Sequence, residues 1–117
     1  MVGAIQNNLS ALNAFDRKMQ VTADNIANVN TNGFKKSQAL LSEDENGGVK
    51  VDIQKVDAPG IPTERLEGDN WVETETSNVD LVDEIGESIV TQNAYDANLK
   101  TVKIQEKMLG SLMDIIG

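Results

Sequence analysis

The side chains here whose types and spacing could do chemistry are carboxylates, lysines and amides. None of the 117 residues is Cys or His. Thiolate nucleophiles, imidazole bases and the usual zinc ligands are therefore excluded. Glu43, Asp44 and Glu45 are the densest carboxylate group. Acid–base work needs apolar surroundings that push carboxyl pKa values apart, and "SEDENGG" around them supplies none. Asp44-Glu45-Asn46-Gly47 has the residue types of a calcium loop, but the glycine comes two positions early and no ligand ladder follows. Gly47-Gly48 lacks the G-x-x-x-x-G-K-[ST] context of a phosphate loop. Lys35-Lys36 reads as a short solvated basic spot. No catalytic residue, metal, cofactor or small-molecule substrate is expected, and the chain does not read as an enzyme.

What remains is amide chemistry. "NIANVNTNGFKK", Asn25 to Lys36, carries four asparagines in twelve residues and closes on a glycine, an aromatic residue and two lysines. Asparagine is a poor residue for a helix interior, because its amide competes for backbone groups. Asn25 and Asn28 are one turn apart, and each amide offers two donors and acceptor lone pairs. Between helices such a ladder fixes register; in water it does little. Asn93 and Asn98 pose the same choice near the other end.

Those amides sit on two long periodic segments. The first helix is expected over 4–30. Ile5, Leu12, Met19 and Ile26 recur every seven residues, with Leu9, Phe15 and Ala23 beside them, the coiled-coil period. The last is expected over 79–115, with Ser77 or Asn78 as its cap and Asp80, Asp83 and Glu84 in its first turns. Its stripe runs through Leu81, Ile85, Ser88, Gln92, Tyr95, Leu99, Val102, Glu106, Leu109, Met113 and Ile116, with Ile89 alongside. Between the helices, "VKVDI" alternates as a half-buried strand and "EGDN" joins "TERL" to "WVETE" as a hairpin. Pro59-Gly60 suits a type II turn. The expected fold is mainly α: two long terminal helices packing as a coiled-coil or helical hairpin, with a small β-rich insert. The expected divisions are 1–34, 35–76 and 77–117.

Composition narrows the partners. The chain has 10 basic and 19 acidic residues, a net charge of −9. Nucleic-acid binding needs a basic footprint to release counterions, so it is not expected, nor is an anionic membrane surface. No apolar run is long enough to span a bilayer. The N-terminal stretch lacks the basic and apolar regions of a secretory signal. Aromatic residues make up only 3%, which predicts a modest core or apolar surface that partners cover.

The segment "ADNIANVNTNGFKKS", Ala23 to Ser37, closely resembles the N-terminal motif of the bacterial flagellar axial proteins. Asn25, Ile26, Ala27, Asn28, Thr31, Gly33, Phe34 and Lys35 match it. The C-terminal segment resembles that family's second motif: Asn78, Val79 and Asp80 open a helix carrying Ala94, Tyr95, Ala97 and Asn98. The short middle is most similar to proximal-rod members, whereas "TNGFKKS" is closer to distal-rod and hook members. The resemblance implies a structural rod subunit, exported through the flagellum's own channel without a cleaved signal and needed for motility. Its implied partners are itself, other rod proteins and the export apparatus, in the periplasmic basal body. It also implies that the terminal helices form an inner coiled-coil layer. The expected subunit contacts then add Asn25, Asn28, Val29, Phe34, Val79 and Asn98 to the two apolar stripes. A small acidic helical export chaperone is the alternative from a different class.

Overall fold

A computed structural model describes residues 2–116. In chain order the elements are α1 (Val2–Ala27), β1 (Ser37–Glu43), β2 (Val49–Lys55), β3 (Pro62–Glu67), β4 (Asn70–Glu75) and α2 (Leu81–Ile116). The fold is therefore not mainly α. Helix makes up 54% and strand 23%, and the strands form two separate antiparallel hairpins, β1–β2 and β3–β4. The expectation went astray at β1. Strand β2 needs a partner for its backbone groups, and "SQALLSE" supplies it, pairing Ser37 with Lys55 through to Glu43 with Val49. Ser37, Ala39 and Leu41 are half-buried while Gln38, Leu40 and Ser42 are exposed, an alternation proper to a strand with one covered face.

The molecule is long and thin, 80 × 25 × 20 Å. The helices run antiparallel. Asn8 Nδ2 donates to Gln105 Oε1 at 2.7 Å, Asn98 Nδ2 donates to the Asn8 carbonyl at 2.8 Å, and Lys18 pairs with Glu87 at 3.0 Å. Hairpin β1–β2 lies back along the other side of α1, where the Val49 N–H donates to Ser10 Oγ at 3.0 Å. Its turn is tied by the Asp44 N–H donating to the Gly48 carbonyl and by the Gly47 N–H donating to the Asp44 carbonyl. The acidic segment is thus a hairpin turn, and among the described residues no group of three or more Asp or Glu is placed to hold a metal ion. Among the described residues no helix is long and apolar enough to cross a membrane.

The seam between α1 and α2 is rotated from the expected stripe. Glu84, Thr91, Asn98 and Gln105 recur every seven residues on its inner face, alternating with Ser88, Tyr95, Val102 and Leu109. All eight are buried or half-buried, whereas Leu81, Ile85, Gln92, Glu106 and Met113 are exposed. Period alone cannot set the rotation of a helix that is apolar on more than one flank. The Asn8, Asn98, Gln105 and Lys18–Glu87 contacts set it. Among the described residues the buried apolar ones are Leu12, Ala14 and Val102, against Thr22, Asn25, Ser77, Glu84 and Thr91 among polar ones.

The start of α2 is also later than expected. Asp80 is the cap: its Oδ1 accepts from the Val82 N–H at 3.0 Å, and its carbonyl accepts from the Glu84 N–H. At the far end every residue from Gly110 to Ile116 is exposed, past the reach of α1. Local opening is cheapest where few contacts close the backbone. Hydrogen exchange should therefore be fastest over 111–116 and slowest at the amides of Lys36 and Ser37. Uniform protection along α2 would contradict this packing.

Candidate functional site: the joint between helices and insert

The asparagines explain themselves where α1 ends. Asn25 is only 1% exposed. Its Nδ2 donates to the Ser37 carbonyl at 2.8 Å, and its Oδ1 accepts from the Ser37 N–H at 3.0 Å. The amide thereby imitates a strand neighbour and pins the first residue of β1 to the last turns of α1. Asn28 closes the helix: its Nδ2 donates to the Asp24 carbonyl at 2.9 Å, and its Oδ1 accepts from Thr31 Oγ1 at 3.1 Å. Both amides thus bond within the chain. Asn30 and Asn32 are exposed.

Asn78 holds the other side. Its Oδ1 accepts from the Lys36 N–H at 2.7 Å, and its Nδ2 donates to the carbonyls of Val56 at 2.8 Å and Ala58 at 2.9 Å. Its own N–H donates to the Phe34 carbonyl at 3.2 Å. One side chain therefore ties the exit of α1, the exit of β2 and the approach to α2. Expected as a helix cap, Asn78 instead joins segments far apart in sequence. Ser77 likewise receives the Val79 N–H at 3.1 Å, one turn before the helix.

Two glycines admit the chain to this joint. Gly33, at φ 75, donates its N–H to the Glu75 carbonyl at 2.8 Å, a left-handed backbone that glycine adopts without steric cost. Gly60 serves by lacking a side chain. A Cβ there would overlap the Thr76 carbonyl oxygen and sit 2.8 Å from its carbon. Gly60 is not among the positive-φ glycines, so Pro59-Gly60 does not form the expected type II turn. The crossing is sealed when Thr76 N–H donates to the Ile61 carbonyl and Ile61 N–H donates to Thr76 Oγ1. Lys35 is not a solvated spot either: its ammonium bonds the Glu75 carboxylate and the Ala58 carbonyl.

The arrangement is a structural joint. It is a clamp of side-chain-to-backbone bonds beside an open cleft of about 800 Å³ walled by Val21, Leu41, Val56 and Val82, with Lys18, Lys36, Asp83, Glu84 and Glu87 at its margins. Of the residues expected at helix contacts, Leu12, Asn25 and Val102 are buried. Ile5, Phe15, Met19, Ile26, Asn28, Val29, Phe34, Val79, Tyr95, Asn98, Leu99 and Leu109 are half-buried. Leu9, Leu81, Ile85, Ile89, Gln92 and Met113 are exposed. Gly60, Ser37 and Glu75 were missed. A signal for Gly60 existed in the run "APGIP", where a turn between two strands must cross other backbone.

The two ends of the clamp fall in recognisable segments. Residues 5–35 match the family model described as flagella basal body rod protein. Residues 73–115 match the one described as flagellar basal body rod FlgEFG protein C-terminal. Together the matches span nearly two thirds of the chain. No curated protein matches it.

Removing the clamp should unfold the joint. Asn78→Ala leaves the Lys36 N–H and the Val56 carbonyl without their partner, while the exposed Ala58 carbonyl keeps Lys35, and a buried unsatisfied group costs about 1–3 kcal/mol. A loss of about 3 kcal/mol is expected in urea unfolding followed by far-UV circular dichroism, with Asn78→Asp intermediate because it keeps the acceptor. Gly60→Ala should be comparably damaging. Stability within about 0.5 kcal/mol of wild type, the range of ordinary surface changes, would refute the clamp.

Proposed function

Both ends of this chain belong to the flagellar basal-body rod family, and from that premise we propose that it is a proximal-rod subunit of the protein C type, assembling through the outer flanks of its terminal helices. The coarser statement stands without the proposal: the protein is a structural component of the flagellar basal body, it assembles with other rod proteins, and it is not an enzyme. The finer reading concerns which rod protein it is, how copies meet and how it arrives. It enters through the flagellar export apparatus, forms part of the periplasmic driveshaft and is required for swimming.

One observation carries the packing mode. α1 covers only one side of α2 and leaves large apolar residues bare on both flanks. Leu81, Ile85 and Ile89 lie on one; Val90, Ile104, Met108 and Ile115 lie on the other. Contiguous exposed apolar surface marks an interaction site, and a helix apolar on several sides belongs inside a bundle. Further helices, from copies of this chain and from other rod proteins, supply what is missing. The type assignment rests on the short insert between the two family segments.

The test separates folding from assembly. Ile85→Asp with Ile89→Asp alters two exposed positions, so the isolated protein should keep its circular dichroism and lose no more than about 0.5 kcal/mol. Expressed in a strain lacking the wild-type gene, this variant should be exported yet leave cells unable to swim, with rods missing from isolated basal bodies. Normal swimming would refute the proposed interface.

A further inference from the structure

Among the described helices and strands, β3 and β4 contact only each other; Gly33 and Lys35 hold the hairpin at its Glu75 end. The face carrying Glu64, Leu66, Trp71 and Glu73 is exposed and chemically odd. Glu64 lies directly opposite Glu73, and the next pair on that face is Leu66 opposite Trp71. Trp71 is 67% exposed and Leu66 55%. Like charges directly opposite destabilise a pair of strands, and among the described residues neither carboxylate has a cation within ion-pair distance. The hairpin thus carries a repulsion and a bare aromatic side by side.

A complementary face exists on α2. Lys103 and Lys107 are four residues apart on one exposed side, with Lys100 one turn earlier and Ile104 and Met108 exposed beside them. None of the three lysines is in an ion pair among the described residues. The spacings agree. Helix residues four apart hold their Cβ atoms about 5–6 Å apart, and directly opposed strand residues about 4.5–5.5 Å. The spacing of the two ammonium groups thus matches that of the two carboxylates, and the pair Leu66 and Trp71 matches the pair Ile104 and Met108.

We propose that these two faces dock on each other between copies of the chain: the Glu64–Glu73 face of one hairpin on the Lys103–Lys107 face of the next copy's α2. The same chain cannot satisfy both. Lys103 lies about 33 Å along α2 from Leu81, whereas six-residue strands make a hairpin only about 20 Å long. Because the faces differ, the contact is head-to-tail, and it propagates as a filament wherever its rotation does not close a ring. It also works against the chain's net charge of −9, which otherwise holds copies apart. The inference builds on the rod-subunit reading and names a contact within it.

Sedimentation velocity on the full chain tests it, with fluorescence of the single Trp as second readout. Wild type should associate at low salt, dissociate as salt screens the pairs, and shift its Trp71 emission to the blue on association. Glu64→Lys with Glu73→Lys should weaken association roughly tenfold or more, as should Lys103→Glu with Lys107→Glu, because each creates like-charge contacts. Both pairs are exposed, and circular dichroism checks that the fold persists. Mixing the two charge-reversed proteins should restore association, since each then offers what the other lacks. Wild type that stays monomeric, variants that associate like wild type, or a mixture that stays apart would each overturn the proposal. Swimming of the wild-type-complemented strain is indifferent to this result, so failure here leaves the rod-subunit reading to its own test.

Discussion

A single amide, that of Asn78, holds three stretches of backbone at one point, and the rest of the molecule is arranged around that constraint. Such a joint differs in kind from a hydrophobic core. Apolar burial is non-directional and scales with area. Hydrogen bonds fix distance and angle, so a small number of them determines how one long element leaves another. Asn25 does the same for the first strand, and Gly33 and Gly60 allow the backbones to come close enough for both. The matched family segments contribute Asn25 and Gly33 from one end and Asn78 from the other. Segments far apart in sequence therefore meet in one structural device.

Beyond the joint the helices are held by a polar seam. Glu84, Thr91, Asn98 and Gln105 occupy one heptad position throughout, and Thr91 Oγ1 is buried with no partner. Polar residues at seam positions reduce stability and specify register. With three apolar side chains buried among the described residues, the pair is aligned more firmly than it is bound.

Much of this was legible in the chain and some was not. The long elements showed in their seven-residue period, and "VKVDI" and the "EGDN" turn showed in alternation and turn residues. β1 escaped because "SQALLSE" alternates weakly and its neighbour "SEDENGG" dominated the reading. The helix class was overestimated for that reason. The rotation of α2 was hidden by its composition: Leu81, Ile85 and Leu99 make as good a stripe as Tyr95, Val102 and Leu109. Only contacts to α1 distinguish them. The asparagines stood out as anomalous, but their partners are backbone groups, which no residue pattern encodes. Ser37 and Lys36 look like any other polar residues.

The division of labour between polar and apolar groups has a physical consequence for assembly. Burial is worth about 25 cal/mol per Å² of apolar surface, and this chain leaves most of its large α2 residues in water. If those residues closed a core within the monomer, nothing would remain to drive association. If the joint were apolar too, the angle between helix and insert would be soft, and neighbouring copies would meet in many ways. Directional bonds set the shape first, without consuming the apolar surface. Non-directional burial then acts on a piece whose geometry is already decided. Ordering the free end of α2 costs backbone entropy, and that cost falls at the moment a neighbour covers it. Shape is thus set by directional bonds at the joint, while the apolar surface of α2 stays available to a neighbour.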